Sequence, residues 1–300
     1  MSNRSFLLGL IGYPLEHSYS PSIHNSALES LNLAGSYRLY PIKPLPVGET
    51  DLVRLIQRIR SGELDGINVT IPHKKSVMRY LDGTSLAAQA IGAVNTILLR
   101  GGELIGENTD APGFLYDLKH AAHSHFSSPA LSNGKHTIQR QAIILGAGGA
   151  ARAVVYALSK SGWRIIIAAR RVEKAIELEK DIKRVVPEGE IFSITLNRET
   201  LFDLQLRDCL VVNATSAGMF PNIEVNPWPF GLPLPAGSFV YDLVYNPSET
   251  DLLGQAQREN IPCRGGMGML VEQAALAFEL WTGYPAPREV MHKSVLKILY

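Results

Sequence analysis

The sequence predicts an α/β protein of two domains, and three features carry that expectation. The chain has 300 residues, more than a single core usually supports. Short apolar runs of strand length alternate with amphipathic stretches of helical period along the whole chain. A polar segment from His120 to Gln139, rich in Ser, His, Pro and Asn, interrupts the alternation before it restarts, which sets a domain boundary near residues 110–140.

The elements follow in order. Phe6–Ile11 reads as a buried strand closed by Gly12. Ser20 reads as an N-cap with Pro21 at the first helical position, leading into Ile23, Ala27, Leu28 and Leu31. Tyr37–Ile42 is a second strand, and Asp51–Ile59 a helix with Leu52, Leu55, Ile56 and Ile59 on one face. Gly66–Thr70 is a third strand, stopped by Pro72. After the polar segment come a strand at Ala142–Leu145, a helix through Ala153–Leu158, a strand at Arg164–Ala168 and a helix at Val172–Val185. Met269–Trp281 and Val290–Leu299 have helical period. Strands alternating with helices imply mostly parallel sheets.

Composition narrows the partners. Hydrophobic residues make up 46% and charged residues 19%, a soluble globular balance. A net charge of +1 supplies no field for nucleic acid or an anionic membrane, so a small-molecule partner is expected. No apolar run reaches membrane-spanning length. The opening MSNRSFLLGLIGYP lacks the long apolar stretch of a secretory signal, and only two cysteines occur, so a reducing cytoplasm is expected. Cys209, next to Leu210-Val211-Val212, reads as a small core residue. The four histidines His120, His123, His125 and His136 lack ligand spacing, and no metal is expected.

The strand Ala142–Leu145 runs into Gly146-Ala147-Gly148-Gly149-Ala150-Ala151 and then a helix. This fits the dinucleotide fingerprint G-x-G-x-x-[G/A]. Gly146 permits the tight turn, Gly148 lets backbone approach a pyrophosphate, and Ala151 allows close helix–strand packing. The free N–H groups of the helix start suit the phosphates. The second strand of this unit ends in Arg170-Arg171, with Lys174 a turn later, where NAD-binding proteins carry an acid. Guanidinium groups can fork onto a 2′-phosphate that a carboxylate would repel, so NADP is expected over NAD.

The first 110 residues hold polar groups at successive strand ends, where α/β folds place ligands. They are Ser18 and Ser20, Thr70 with Lys74, Asn95, and Asn108-Thr109-Asp110. Turn and cap chemistry accounts for Ser20 and Asn108 but not for the whole set.

At this point the chain closely resembles the shikimate dehydrogenase family, through GYPLEHSYSPSIHN, NVTIPHKK, GAVNT, ENTDAPG, LGAGGAAR, VVNATSAGM, YDLVYNP and GGMGMLVEQAA, in that order. The resemblance implies a substrate-binding and catalytic domain (1–109 plus 267–300) and a Rossmann-type NADP-binding domain (110–266), separated by a cleft. It implies reversible, NADP-dependent reduction of 3-dehydroshikimate to shikimate, on the route to chorismate and the aromatic amino acids, by a monomer or homodimer. Lys74 and Asp110 are then the catalytic pair. Ser18, Ser20, Thr70, Asn95, Asp110, Tyr245 and Gln273 are the substrate contacts. Gly146, Ala147, Gly148, Gly149, Ala150, Arg170, Thr215, Leu243, Gly266 and Met269 are the cofactor set, with Arg171 and Lys174 beside Arg170. The chain departs from the family pattern at Ala169-Arg170-Arg171, where Asn-Arg-Thr is usual. It departs again at Ala111 after Asp110, in place of Gly, and at Gly265-Gly266-Met267-Gly268, in place of Asp-Gly-Leu-Gly.

The residue types suit the reaction. Ketone reduction needs a hydride on carbon and a proton on oxygen, and a lysine beside an aspartate can supply the proton. Three other readings stay open at this stage: an enzyme of the same fold that also takes quinate or uses NAD, a non-catalytic NADP-binding sensor, and a folate- or tRNA-linked dehydrogenase of similar shape. Retention of both Lys74 and Asp110 speaks against the second, and the Ser18/Ser20 pair against the third.

Overall fold

The computed structural model describes residues 4–126 and 140–299. The chain forms two compact units, Met1–Gly113 with Val271–Tyr300, and Phe114–Leu270. Against expected edges at 109/110 and 266/267, both cuts fall four residues later. Each lies inside a helix that continues across it, so no loop marks the change of unit.

The first unit begins with β1 (Phe6–Gly12), α1 (Ser20–Ser30), β2 (Gly35–Pro41), α2 (Glu49–Arg60) and β3 (Gly66–Val69). A 3₁₀ turn (Ser76–Tyr80), β4 (Gly83–Thr84), α3 (Leu86–Ile91), β5 (Thr96–Arg100), β6 (Glu103–Glu107) and the start of α4 (Asp110–Ala121) follow. The sheet order is β2-β1-β3-β5-β6-β4. Leu52, Leu55, Ile56 and Ile59 of α2 form a core with Ile67, Val69, Ile97 and Leu104, the face that the helical period predicts.

The sheet is mostly parallel, as the alternation implies, with one reversal: β5 runs antiparallel to both β3 and β6. Gly101 and Gly102, both at positive φ (61° and 87°), turn β5 into β6 as a two-residue hairpin. This reversal carries the C-terminal end of β6 back to the edge where β1 and β3 end. The start of α1 also differs from expectation. Tyr19, not Ser20, is the N-cap, and Ser20 is the first helical residue. The Ser20 hydroxyl is turned inward to Tyr37, and the Ser18 Oγ accepts from the Ser20 N–H at 3.3 Å.

The second unit continues with α5 (His123–Phe126), β7 (Gln141–Leu145), α6 (Gly149–Lys160), β8 (Arg164–Ala169), α7 (Val172–Val185), β9 (Ile191–Thr195) and α8 (Arg198–Asp203). Then come β10 (Leu210–Asn213), β11 (Phe239–Asp242), α9 (Asp251–Arg258), β12 (Cys263–Arg264) and the first turn of α10 (Met267–Thr282). The rest of α10 and α11 (Arg288–Leu299) return to the first unit. The expected loop from His120 is helical as far as Phe126, in α4 and α5. Residues 127–139, including His136, lie outside the described residues. All strand pairs of this sheet are parallel, in the order β12-β11-β10-β7-β8-β9. Counted along the chain this is the doubly wound 3-2-1-4-5-6 order, whose direction reverses between β7 and β10. Cys209 is fully buried beside Val211, Trp228 and Val240, and burial pushes its thiol up to about 12. Among the described residues no helix is long and apolar enough to cross a membrane, and no group of three or more His, Cys, Asp or Glu could hold a metal ion.

Candidate active site and dinucleotide crevice

In the first unit the site forms along one edge of the sheet, from the chain just after β1, β3 and β6 and just before β5. Beyond β3 the chain turns sharply. The His73 N–H donates to the Thr70 carbonyl at 2.9 Å, and the buried His73 ring meets the Ile42 carbonyl at 2.7 Å through Nε2. The next residue is Lys74, whose own carbonyl accepts from the Val94 N–H at 2.8 Å. On the other side Asn108 begins α4, its Oδ1 accepting from the Asp110 N–H at 3.1 Å and the Ala111 N–H at 3.3 Å. Asp110 therefore stands in the first helical turn, where backbone dipoles favour a carboxylate.

Lys74 Nζ donates to Asp110 Oδ2 at 2.6 Å, with side-chain exposures of 18% and 8%. The other carboxylate oxygen accepts from Asn95 Nδ2 at 2.9 Å. Asp110 is thus satisfied on both oxygens. The ammonium, on a mostly buried side chain, keeps two N–H bonds with no protein acceptor among the described residues.

Asn95 is the joint of this cluster. Its Nδ2 also donates to Thr109 Oγ1 at 2.9 Å and lies 3.4 Å from Gln273 Oε1, while its Oδ1 accepts from the Thr109 N–H at 2.8 Å and from Thr96 Oγ1 at 3.1 Å. Its amide is committed within the protein. Lys74, Asn95, Asp110 and Gln273 are therefore brought together directly. Thr70, half-buried, follows β3 beside β1, and its N–H donates to the Ile11 carbonyl at 2.8 Å. Ser18 is half-buried ahead of α1, and Ser20 is buried at its first position.

The second unit assembles the other expected set, at the carboxyl edge of its own sheet. Gly146 follows β7 at φ 104°, and a Cβ there would stand 2.8 Å from Thr215 Cγ2. Gly148 caps α6 without a side-chain bond, and nothing lies within 4 Å of where its Cβ would be. Open space thus faces the unpaired N–H groups of the helix start, as a phosphate requires. Ala147 and Ala150 are half-buried, Gly149 is exposed, and Ala151 is wholly buried against the sheet. Arg170 and Arg171 are exposed after β8, and neither guanidinium has a protein partner among the described residues. Lys174 differs, since its ammonium is held by Glu177 Oε2 at 2.9 Å. Thr215 follows β10, and Leu243 and Tyr245 follow β11, all half-buried. Gly266 donates its N–H to the Val244 carbonyl at 3.0 Å, and Met269 is buried in α10. These residues fit a phosphorylated dinucleotide: a glycine turn and open helix start after β7, and two guanidinium groups after the neighbouring strand β8.

The model of the shikimate dehydrogenase substrate-binding domain matches residues 10–97, and that of the shikimate 5′-dehydrogenase C-terminal domain matches residues 266–296. A shikimate dehydrogenase (NADP⁺) of Carboxydothermus hydrogenoformans is 40% identical over 96% of each chain. The chain belongs to the shikimate dehydrogenase family. Among solved structures, a shikimate dehydrogenase in complex with NADP⁺ is similar with a TM-score of 0.84 at 36% identity, covering 100% of this chain and 98% of the other. The enzyme of Thermus thermophilus, in complex with NADP(H) and shikimate, gives 0.80 at 34% identity, covering 97% and 99%.

Two polar residues of this family member received no role from sequence reasoning, Asn213 and Asp242. Each ends a strand whose other residues are apolar, Leu210-Val211-Val212 and Phe239-Val240-Tyr241. A polar side chain terminating a wholly buried run was the available signal.

Proposed function

We propose that the protein is an NADP-dependent shikimate dehydrogenase that interconverts 3-dehydroshikimate and shikimate on the route to aromatic amino acids. The observation that carries the reading is the Lys74–Asp110 pair, 2.6 Å apart at the ligand-binding edge of its sheet, with two ammonium N–H bonds left for a substrate oxygen. Bound nicotinamide supplies the hydride. Lys74 then donates a proton to the oxygen that gains charge as the carbonyl is reduced, and takes it back in the reverse direction. Asp110 orients the ammonium, and Asn95 orients Asp110. Ser18, Ser20, Thr70, Tyr245 and Gln273 present the hydroxyl, phenol and amide groups suited to a polyhydroxylated ring acid. Such a polar site discriminates strongly against analogues lacking a hydroxyl, because a donor would be left unpaired. In this reading Arg170 and Arg171 grip the 2′-phosphate of NADP.

The first unit thus serves as substrate domain and the second as cofactor domain. The enzyme works in the cytoplasm as a monomer or homodimer, in keeping with two free thiols, Cys209 and Cys263. The test follows the near-ultraviolet absorbance of reduced nicotinamide with shikimate, quinate and other cyclic alcohols, each with NADP⁺ and NAD⁺. Shikimate with NADP⁺ is expected to turn over fastest. Tight NADP⁺ binding without shikimate turnover would overturn the reading.

A further inference from the structure

The Asp242 carboxylate is fully buried at the end of β11, and no lysine or arginine pairs with it among the described residues. Its Oδ1 accepts from Asn213 Nδ2 at 2.8 Å and from the Val244 N–H at 3.0 Å, and its Oδ2 accepts from the Thr250 hydroxyl at 2.7 Å. Thr250 Oγ1 in turn accepts from the Leu253 N–H at 3.3 Å and caps α9. One charge therefore joins the segment after β10, the segment after β11 and the start of a helix. Burial pushes this carboxyl up to about 6, with the three hydrogen bonds opposing. An isolated buried carboxylate is a costly way to hold three donors that a neutral group could hold in part.

What only an acceptor can do here is fix the Asn213 amide. Asn213 Oδ1 accepts from both the N–H and the hydroxyl of Thr215, at 3.0 and 2.7 Å, while Nδ2 donates to Asp242 and to the Ala217 carbonyl at 3.1 Å. Turning the amide over would set its oxygen against the carboxylate and the carbonyl, and its NH₂ against the Thr215 N–H. An ionised carboxylate has no proton to give, so it permits one orientation. That orientation seats Thr215, whose methyl group lies against the Gly146 turn. The Asn213 carbonyl also accepts from the Leu243 N–H at 3.0 Å, which ties in the segment that carries Leu243 and Tyr245.

We propose that Asp242 is a positioning residue for the dinucleotide: it locks the Asn213 amide and so preforms the crevice between the Gly146 turn, Thr215 and Leu243. This rests on the reading of that crevice as the NADP site. Asp242→Asn is the test, because it keeps the shape while removing the charge: its amide holds Asn213 as before only with its NH₂ toward Thr250, and turned the other way it donates to Asn213 and lets that amide turn. Calorimetry should give an NADP⁺ Kd raised by about tenfold or more, the scale of one well-placed hydrogen bond. The KM for shikimate should stay within about twofold, and the Tm should hold or rise because a buried charge is gone. Adding Thr215→Val should cost little beyond Asp242→Asn alone, since the two act along one path. Unchanged NADP⁺ affinity, losses that add in the double variant, or affinity falling in step with Tm would each overturn the positioning role. Wild-type protein that binds no NADP⁺ would overturn the cofactor reading and this inference together.

Discussion

At the residue scale, the proton role proposed for the Lys74–Asp110 pair predicts that removing the ammonium leaves binding largely in place. Lys74→Ala is expected to lower kcat by at least about a hundredfold with a modest change in KM, in steady-state assays with shikimate. A near-normal kcat would remove Lys74 from the mechanism. In the proposed reading the guanidinium groups differ from Lys74 in kind, because they recognise and do not react. Arg170→Ala is expected to raise KM for NADP⁺ far more than for NAD⁺, whereas Lys174→Ala should matter less because Glu177 already holds that ammonium. Equal losses on both cofactors would remove the phosphate role of Arg170. The Lys74–Asp110 pair was legible in the sequence as two residue types suited to the proposed reaction. The partners that position them were not. Asn95 meets Thr109 and Gln273 only because β5 and β6 fold back on one another and α10 returns to the first unit, and the Glu177 contact of Lys174 depends on side-chain packing along α7.

At the element scale, the turn from β7 into α6 is the least forgiving. Gly146→Ala adds a Cβ at φ 104°, close against Thr215, and should cost about 1–3 kcal/mol of stability together with most NADP⁺ affinity. Thermal melts and calorimetry measure the two effects separately, and an unchanged Kd would show that the turn does not approach the cofactor. This element was readable in advance because its strand, glycine run and helix each follow a strong local rule. The β5–β6 hairpin was not read, although Gly101-Gly102 is a hairpin turn signal, because the flanking runs Thr96-Ile97-Leu98-Leu99 and Leu104-Ile105 are short and sit amid expected βα alternation. The Ser20 cap was displaced by one residue because tertiary contact with Tyr37 claims its hydroxyl. The start of the polar segment after His120 proved helical, since Ala121, Ala122 and Phe126 can continue a helix that the histidines do not prevent.

At the scale of the whole molecule, the two units should answer acid in opposite ways. His24 is fully buried in the first unit, stacked on Tyr37 at 4.3 Å, and among the described residues neither ring nitrogen makes a well-formed hydrogen bond, although the Asn68 side chain lies near. Burial pushes its imidazole down to about 3, with Asn68 opposing weakly. A depressed folded value means stability that is present above the unfolded value near 6.5 and is lost as pH falls toward 3, on the order of 3 kcal/mol by pH 4. Asp242 in the second unit is raised, so its contribution is present below 3.8 and is lost as pH rises through about 6. Between pH 6.5 and 4, hydrogen-exchange protection should therefore fall in Phe6–Gly12 before Gln141–Leu145, and His24→Phe should flatten the first response. Simultaneous loss in both strands would refute this. The antiparallel excursion in the first sheet has a practical side. Arg100 pairs with Glu103 at one end of the hairpin, whereas at the other Thr96, the neighbour of Asn95 in the Lys74–Asp110 cluster, pairs with Glu107. The exposed diglycine tip thus lies one strand length away from that cluster. A short peptide tag spliced between Gly101 and Gly102 should leave turnover intact, giving a handle for immobilising or labelling the enzyme without touching either ligand.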